Sequence, residues 1–150
     1  MCLRSLFLAL IVALLGACQR DAPPSSEHAP TPLPSYRLAA TWKRDGVEWR
    51  AIVVSRELPP KELRRLARSL NAKESRIFFD IYDDDARIAQ LAAANGDETV
   101  MPDDWQQWQD QHGVGKIAGT VSTEGGALSI TDMRLYDWRD QSSWRLKAPP

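Results

Sequence analysis

From Tyr36 onward the chain alternates with a period of two. Tyr36, Leu38, Ala40 and Trp42 fall on one side, and Arg37, Ala39, Thr41 and Lys43 on the other. That period belongs to a β-strand with one face buried. Asp45-Gly46 follows, then a second run from Val47 to Val54. Asp-Gly between two such runs is a strong hairpin signal. A two-residue turn pairs Arg44 with Val47, Lys43 with Glu48 and Trp42 with Trp49. This register sets opposite charges on one face and two indoles on the other.

The period then changes. After Pro59-Pro60, which suit a first helical turn, Leu63, Leu66, Ala67 and Leu70 recur at helical spacing, with Lys61, Arg64, Arg65 and Arg68 on the other side. This helix is expected to end between Asn71 and Lys73. Arg76 to Tyr82 reads as a strand with Ile77, Phe79 and Ile81 on one face. Asp83, Asp84 and Asp85 lead into a short helix carrying Ile88, Leu91 and Ala92, closed by Asn95-Gly96. Pro102 to Trp108 reads as a helical turn with acidic residues at its start. Val114 to Thr123 and Ala127 to Tyr136 form a second hairpin around Gly125-Gly126. Its alternation slips near Asp132, where Leu128 and Ile130 have one parity and Met133 and Leu135 the other, and a bulge would reconcile them. The tail to Pro150 reads as irregular. The order strand, strand, helix, strand, helix, strand, strand predicts one α+β domain over 36–147. Its sheet is mainly antiparallel, two hairpins plus a middle strand, with two or three helices packed on one face. The strand order is not deducible from the pattern.

The residues before Tyr36 have neither period. Met1 to Ser5 contains Arg4, an unbroken apolar run extends from Leu6 to Leu15, and Gly16-Ala17-Cys18 closes it. A charged start, a short apolar run and small residues before a break are the parts of a secretory signal. The run is shorter than the ~20 residues that span a bilayer. Leu15-Gly16-Ala17-Cys18 resembles the lipobox of bacterial lipoproteins, a resemblance confined to residues 1–18. It implies removal of residues 1–17, a diacylglyceryl thioether on Cys18 and acylation of the new amino terminus. The thiol is the nucleophile that takes the lipid. Each buried CH₂ adds ~0.8 kcal/mol and stable attachment needs more than one chain, a demand that a triacylated cysteine meets. Gln19 rather than Asp after the cysteine implies, by the sorting rule of enteric lipoproteins, the periplasmic face of the outer membrane.

Residues 18–35 carry five prolines, with Ser25, Ser26 and Ser35 among them. Such a stretch buries no core and reads as a tether; in polyproline form, at ~3 Å per residue, it would reach about 50 Å. Losing Arg4 with the leader takes the formal net charge from −1 to −2, which is no footprint for nucleic acid. Cys18 is then the one cysteine left, so disulfides, thiol catalysis and cysteine metal sites are excluded.

Candidate chemistry is sparse. Of two histidines, His28 sits in the tether, and His112, before Gly113, reads as a surface-loop residue without a serine in a nucleophile-elbow context. Asp80, Asp83, Asp84 and Asp85 offer oxygen ligands for a divalent cation, but lack the spacing of a known ion loop; helix capping is the simpler account. The basic helix face, with Arg64, Arg65 and Arg68, suits anionic headgroups or an acidic partner, or is simply solvated. The six tryptophans are the least ordinary feature. Trp105 and Trp108, flanked by acids and glutamines, are candidates for an exposed binding edge, with core packing the simpler account. The resulting expectation is a membrane-anchored, non-enzymatic binding domain with no cofactor. Its partner would be a protein or the cell wall, in an inhibitor, immunity or envelope-accessory role. The alternative is an envelope enzyme using the Asp80–Asp85 carboxylates with a metal.

Overall fold

The structure is a computed structural model and describes residues 31–147. The leader, Cys18 and most of the tether lie outside the described residues. From Pro32 on the chain forms one compact unit. Its strands are β1 (Tyr36–Arg44), β2 (Val47–Val54), β3 (Ile77–Tyr82), β4 (Gly113–Ser122), β5 (Ser129–Asp137) and β6 (Ser142–Arg145). The helices are α1 (Pro60–Lys73), α2 (Ile88–Ala93) and α3 (Trp105–His112). The strands form one sheet in sequential order, β1-β2-β3-β4-β5-β6. Every neighbouring pair is antiparallel except β2 and β3. A parallel pair needs a long crossover, and α1 supplies it. The fold is α+β, as the element order implied.

The first hairpin has the expected register, with Trp42 opposite Trp49, Lys43 opposite Glu48 and Arg44 opposite Val47. Asp45 and Gly46 both take positive φ, 52° and 79°, the backbone that matches the twist of the paired strands. The two indoles lie nearly parallel, 6.5 Å between centroids. The slip in the second hairpin is a bulge. Asp132 and Met133 together oppose Gly119, and Asp132 has φ of 49°. A Cβ on Gly119 would come within 2.6 Å of the Thr131 carbonyl oxygen, so only glycine fits there.

Two expectations are corrected. The helices do not share one face of the sheet. α1 buries Leu63, Leu66, Ala67 and Leu70 against Ile52, Val54, Phe79, Ile81, Ile117 and Leu135. On the opposite face, Ile88 and Leu91 of α2 and Trp105 and Trp108 of α3 pack with Trp42, Ala51 and Tyr82. The reason is visible in β3, whose residues from Phe78 to Tyr82 are all buried: a central strand covered on both sides needs apolar partners on both. The tail is not irregular either. Ser142–Arg145 adds a sixth strand to β5, Asn71 donates to the Lys147 carbonyl at 2.8 Å, and Leu146 is buried.

Candidate functional site

α3 runs straight into β4 at His112-Gly113, which opens a cleft between the helix and the β4–β5–β6 end of the sheet. The cleft has a volume of about 850 Å³ and is lined by residues of α3, by Lys116 of β4, and by Tyr136, Trp138 and Gln141 of β5 and the turn after it. Gly113 makes the close approach possible. A Cβ there would stand 2.5 Å from Trp138 Cε3 and 2.6 Å from the Gln109 carbonyl oxygen. The Trp138 ring therefore lies against bare backbone and edge-on to Tyr82, 6.2 Å between centroids.

At the floor of the cleft a half-buried lysine faces a buried aspartate. Asp80 on β3 sits directly opposite Lys116 on β4 and is 3% exposed. Lys116 Nζ is 3.4 Å from Asp80 Oδ1, close enough for attraction but not aligned as a hydrogen bond, since that oxygen has no hydrogen-bond partner. The ammonium also lies over the rings of Trp49 and Trp138, 5.2 and 5.6 Å from their centroids, a partly exposed cation–π arrangement. Burial pushes the Asp80 carboxyl up to about 6, and the Lys116 cation only partly opposes it. Burial, and then the negative Asp80, push the Tyr82 hydroxyl up as well; it lies near Gln109 without forming a hydrogen bond.

The remaining charged groups at the cleft all have hydrogen-bond or ion-pair partners. Arg139 Nη2 donates to Asp137 Oδ2 at 2.7 Å and Nη1 to the Leu58 carbonyl at 2.6 Å. Arg56 Nε lies 3.6 Å from Asp83. Glu98 accepts from the Gln109 amide at 3.2 Å, and Asp110 from the Gln106 amide at 2.8 Å. The cleft thus holds three cation–carboxylate pairs and two carboxylates bonded to amides.

The candidates from the sequence are differently placed. Trp105 and Trp108 are 3% and 7% exposed, so they are not an exposed edge. They stack on each other, with Trp108 on Tyr82, because their spacing puts both indoles on the sheet side of α3. The basic face of α1 is divided. The Arg64 guanidinium covers Trp144 at 4.6 Å, Arg65 pairs with Glu62 and donates to the Pro32 carbonyl, and Arg68 is exposed.

The aspartates also disperse. Asp80 faces Lys116, Asp83 bonds His112 Nδ1 at 2.9 Å, Asp85 pairs with Arg37, and Asp84 accepts from the Ala86 N–H at 3.1 Å. That bond holds the Asp84 carboxyl below its ordinary range. No aspartate caps α2, whose N-cap is Arg87 without a side-chain bond; Asp84 shapes the turn before it. Among the described residues, no three His, Cys, Asp or Glu side chains converge on a metal position. His112 is not a loop residue but the last of α3, held by Asp83 and stacked on Trp108 at 5.3 Å.

Lys116, Trp138, Glu98 and Gln109 were missed from the sequence. One signal was present: Asp80 and Lys116 are lone charges inside apolar strands, of opposite sign, which is what a buried cross-strand pair requires. No known protein family matches the chain, and no solved structure matches it. Among the described residues no helix is long and apolar enough to cross a membrane.

Proposed function

We propose that the chain is a lipoprotein held by lipid on Cys18 at the periplasmic face of the outer membrane. Its domain is a non-enzymatic binding module of the inhibitor, immunity or envelope-accessory kind, and it recognises a macromolecular partner through the cleft beside α3. One observation carries the binding reading. Each cation around the cleft already has a carboxylate and the two remaining carboxylates accept from glutamine amides, while Tyr136 is 39% exposed and Gln111 and Gln141 are exposed too. Such a cleft is preorganised to recognise surface and hydrogen bonds. The lipobox-like segment supports the anchor, and the proline-rich stretch after it gives the reach.

Metabolic labelling with an alkyne fatty acid tests the anchor. The wild-type chain is expected to take the label and Cys18→Ser to lose it; a labelled Cys18→Ser protein rules the anchor out. Photo-crosslinkers placed in intact cells at Gln111 and Gln141 test the module. Adducts are expected at both positions and not at the exposed Lys43, which lies away from the cleft. An identical adduct pattern at all three positions counts against a cleft-borne function.

A further inference from the structure

We propose that the cleft beside α3 binds a neutral glycan strand, its sugar rings resting on Tyr136 and Trp138. The inference rests on the binding-module reading above and names its ligand class.

The argument begins with strand geometry. Tyr136 lies near the end of β5 and Trp138 begins the turn beyond it, where its N–H still bonds the Val114 carbonyl of β4, so the strand alternation carries on and both side chains leave on the same face, about 7 Å apart. The alternate residues Met133 and Leu135 are buried on the other side. Trp138 is supported from below by Gly113, Tyr82 and the Lys116 ammonium, so its ring is held in place before any ligand arrives. Two aromatic surfaces in succession, one of them held in place, facing a cleft, suit a chain of flat apolar ring faces with hydroxyls on the edges. Planar side chains of this kind give contact area at little entropic cost.

Charge then selects among ligands. Each cation at the cleft has its own carboxylate: Arg139 has Asp137, Arg56 has Asp83 and Lys116 has Asp80. An anionic ligand would have to break one of these pairs and would also meet Glu98 and Asp110, which have amide partners rather than cationic ones. A neutral polyhydroxylated ligand breaks nothing. Each glutamine amide offers two donors and a carbonyl acceptor. Gln106 and Gln109 spend a donor on a carboxylate and retain capacity for sugar hydroxyls.

The test titrates the full chain, in detergent, with a tetramer of β-1,4-linked N-acetylglucosamine, followed by calorimetry at low and high salt. Saturable binding that changes little with salt is expected, because a neutral ligand gains no screened charge interaction. Trp138→Ala is expected to weaken binding by up to about tenfold, the size of one lost aromatic contact. Trp138 also packs on the fold, so the exposed Tyr136→Ala and Gln141→Ala serve as second variants, each expected to weaken binding severalfold with melting unchanged. Absence of saturable binding, or binding that Tyr136→Ala and Gln141→Ala leave intact, overturns the proposal. So does salt-sensitive binding of pentalysine in place of the sugar, which would mark the ligand as a basic polypeptide. Cleft crosslinks to a protein without sugar binding overturn the glycan assignment and leave the module reading standing. Sugar binding by a chain that takes no lipid label supports the glycan site and removes only the anchor.

Discussion

The two faces of the sheet are built differently. The α1 face is mainly aliphatic: Leu63, Leu66, Ala67 and Leu70 close on Ile52, Ile81, Ile117 and Leu135, all essentially without exposure, with Phe78 and Phe79 among them. The α2/α3 face is aromatic and polar at once. It buries Trp42, Trp105, Trp108 and Tyr82, but also the carboxylate of Asp80. Unpartnered buried polar atoms gather there too: Asp80 Oδ1, Tyr82 Oη, Trp105 Nε1 and Trp108 Nε1, against Arg65 Nε and Asn71 Oδ1 on the α1 side. A buried polar atom without a partner costs stability, and the cleft opens on the face that bears more of that cost. One face holds the fold together while the other gives up stability around a site, which is where strain and unsatisfied groups are expected to collect.

The comparison can be broken most decisively at the aliphatic face. Leu63→Ala removes a side chain with no exposure and should destabilise the protein by ~3 kcal/mol, within the range for a buried leucine that leaves a cavity. Urea denaturation would show it; a loss under ~1 kcal/mol would mean that α1 is not the main clamp.

At the polar face the effect should depend on pH. The folded state holds the Asp80 carboxyl at about 6, above its ordinary 3.8, so the folded protein binds the extra proton between those values. Stability from this group therefore falls as pH rises from about 4 to about 6. The full penalty, roughly 3 kcal/mol from the size of the shift, stands above that window. In Asp80→Asn this decline should vanish, so the gap between variant and wild type widens from pH 4 to pH 7. Parallel curves for the two proteins across that range would contradict a buried carboxylate that Lys116 compensates only in part.

Gly113→Ala comes next. The new methyl meets the Trp138 ring and the Gln109 carbonyl, and forcing them apart should cost ~2 kcal/mol while tilting Trp138 out of the cleft. Loss of the chemical-shift signature of the Trp138 indole, together with a lowered melting temperature, is the expected result. Tyr82→Phe is the smallest and has the opposite sign. It deletes a buried hydroxyl that has no hydrogen bond, so a gain of ~1 kcal/mol is expected. A clear loss would reveal a partner for that hydroxyl.

Local order was legible where one residue's conformation decides it. Asp45-Gly46 takes the positive-φ turn that its residue types favour, and the pairing of Trp42 with Trp49 follows by counting outward. The helical spacing of Leu63 to Leu70 marked the buried face of α1, and the broken alternation at Asp132 marked the bulge. The strand Ser142–Arg145 was not legible, because four residues reading Ser-Ser-Trp-Arg have no period, and their strand character comes from hydrogen bonds to β5. The aspartate run misled for a related reason: neighbours in sequence, Asp80, Asp83, Asp84 and Asp85 point to four different partners once a strand end and a turn intervene.

The sequence by itself determined the elements from β1 to β5 in outline, the turn of the first hairpin and the α+β class, because periodicity and turn chemistry act over a few residues. Only the tertiary structure decided which face each helix covers, that β2 and β3 run parallel, and that Trp105 and Trp108 are core. It also decided that Gly113, Lys116 and Trp138 meet at a cleft. These depend on contacts between residues far apart in the chain, whose partners no local period names: Lys116 faces Asp80 because two strands align, and Trp138 reaches Gly113 because β5 folds back beside β4.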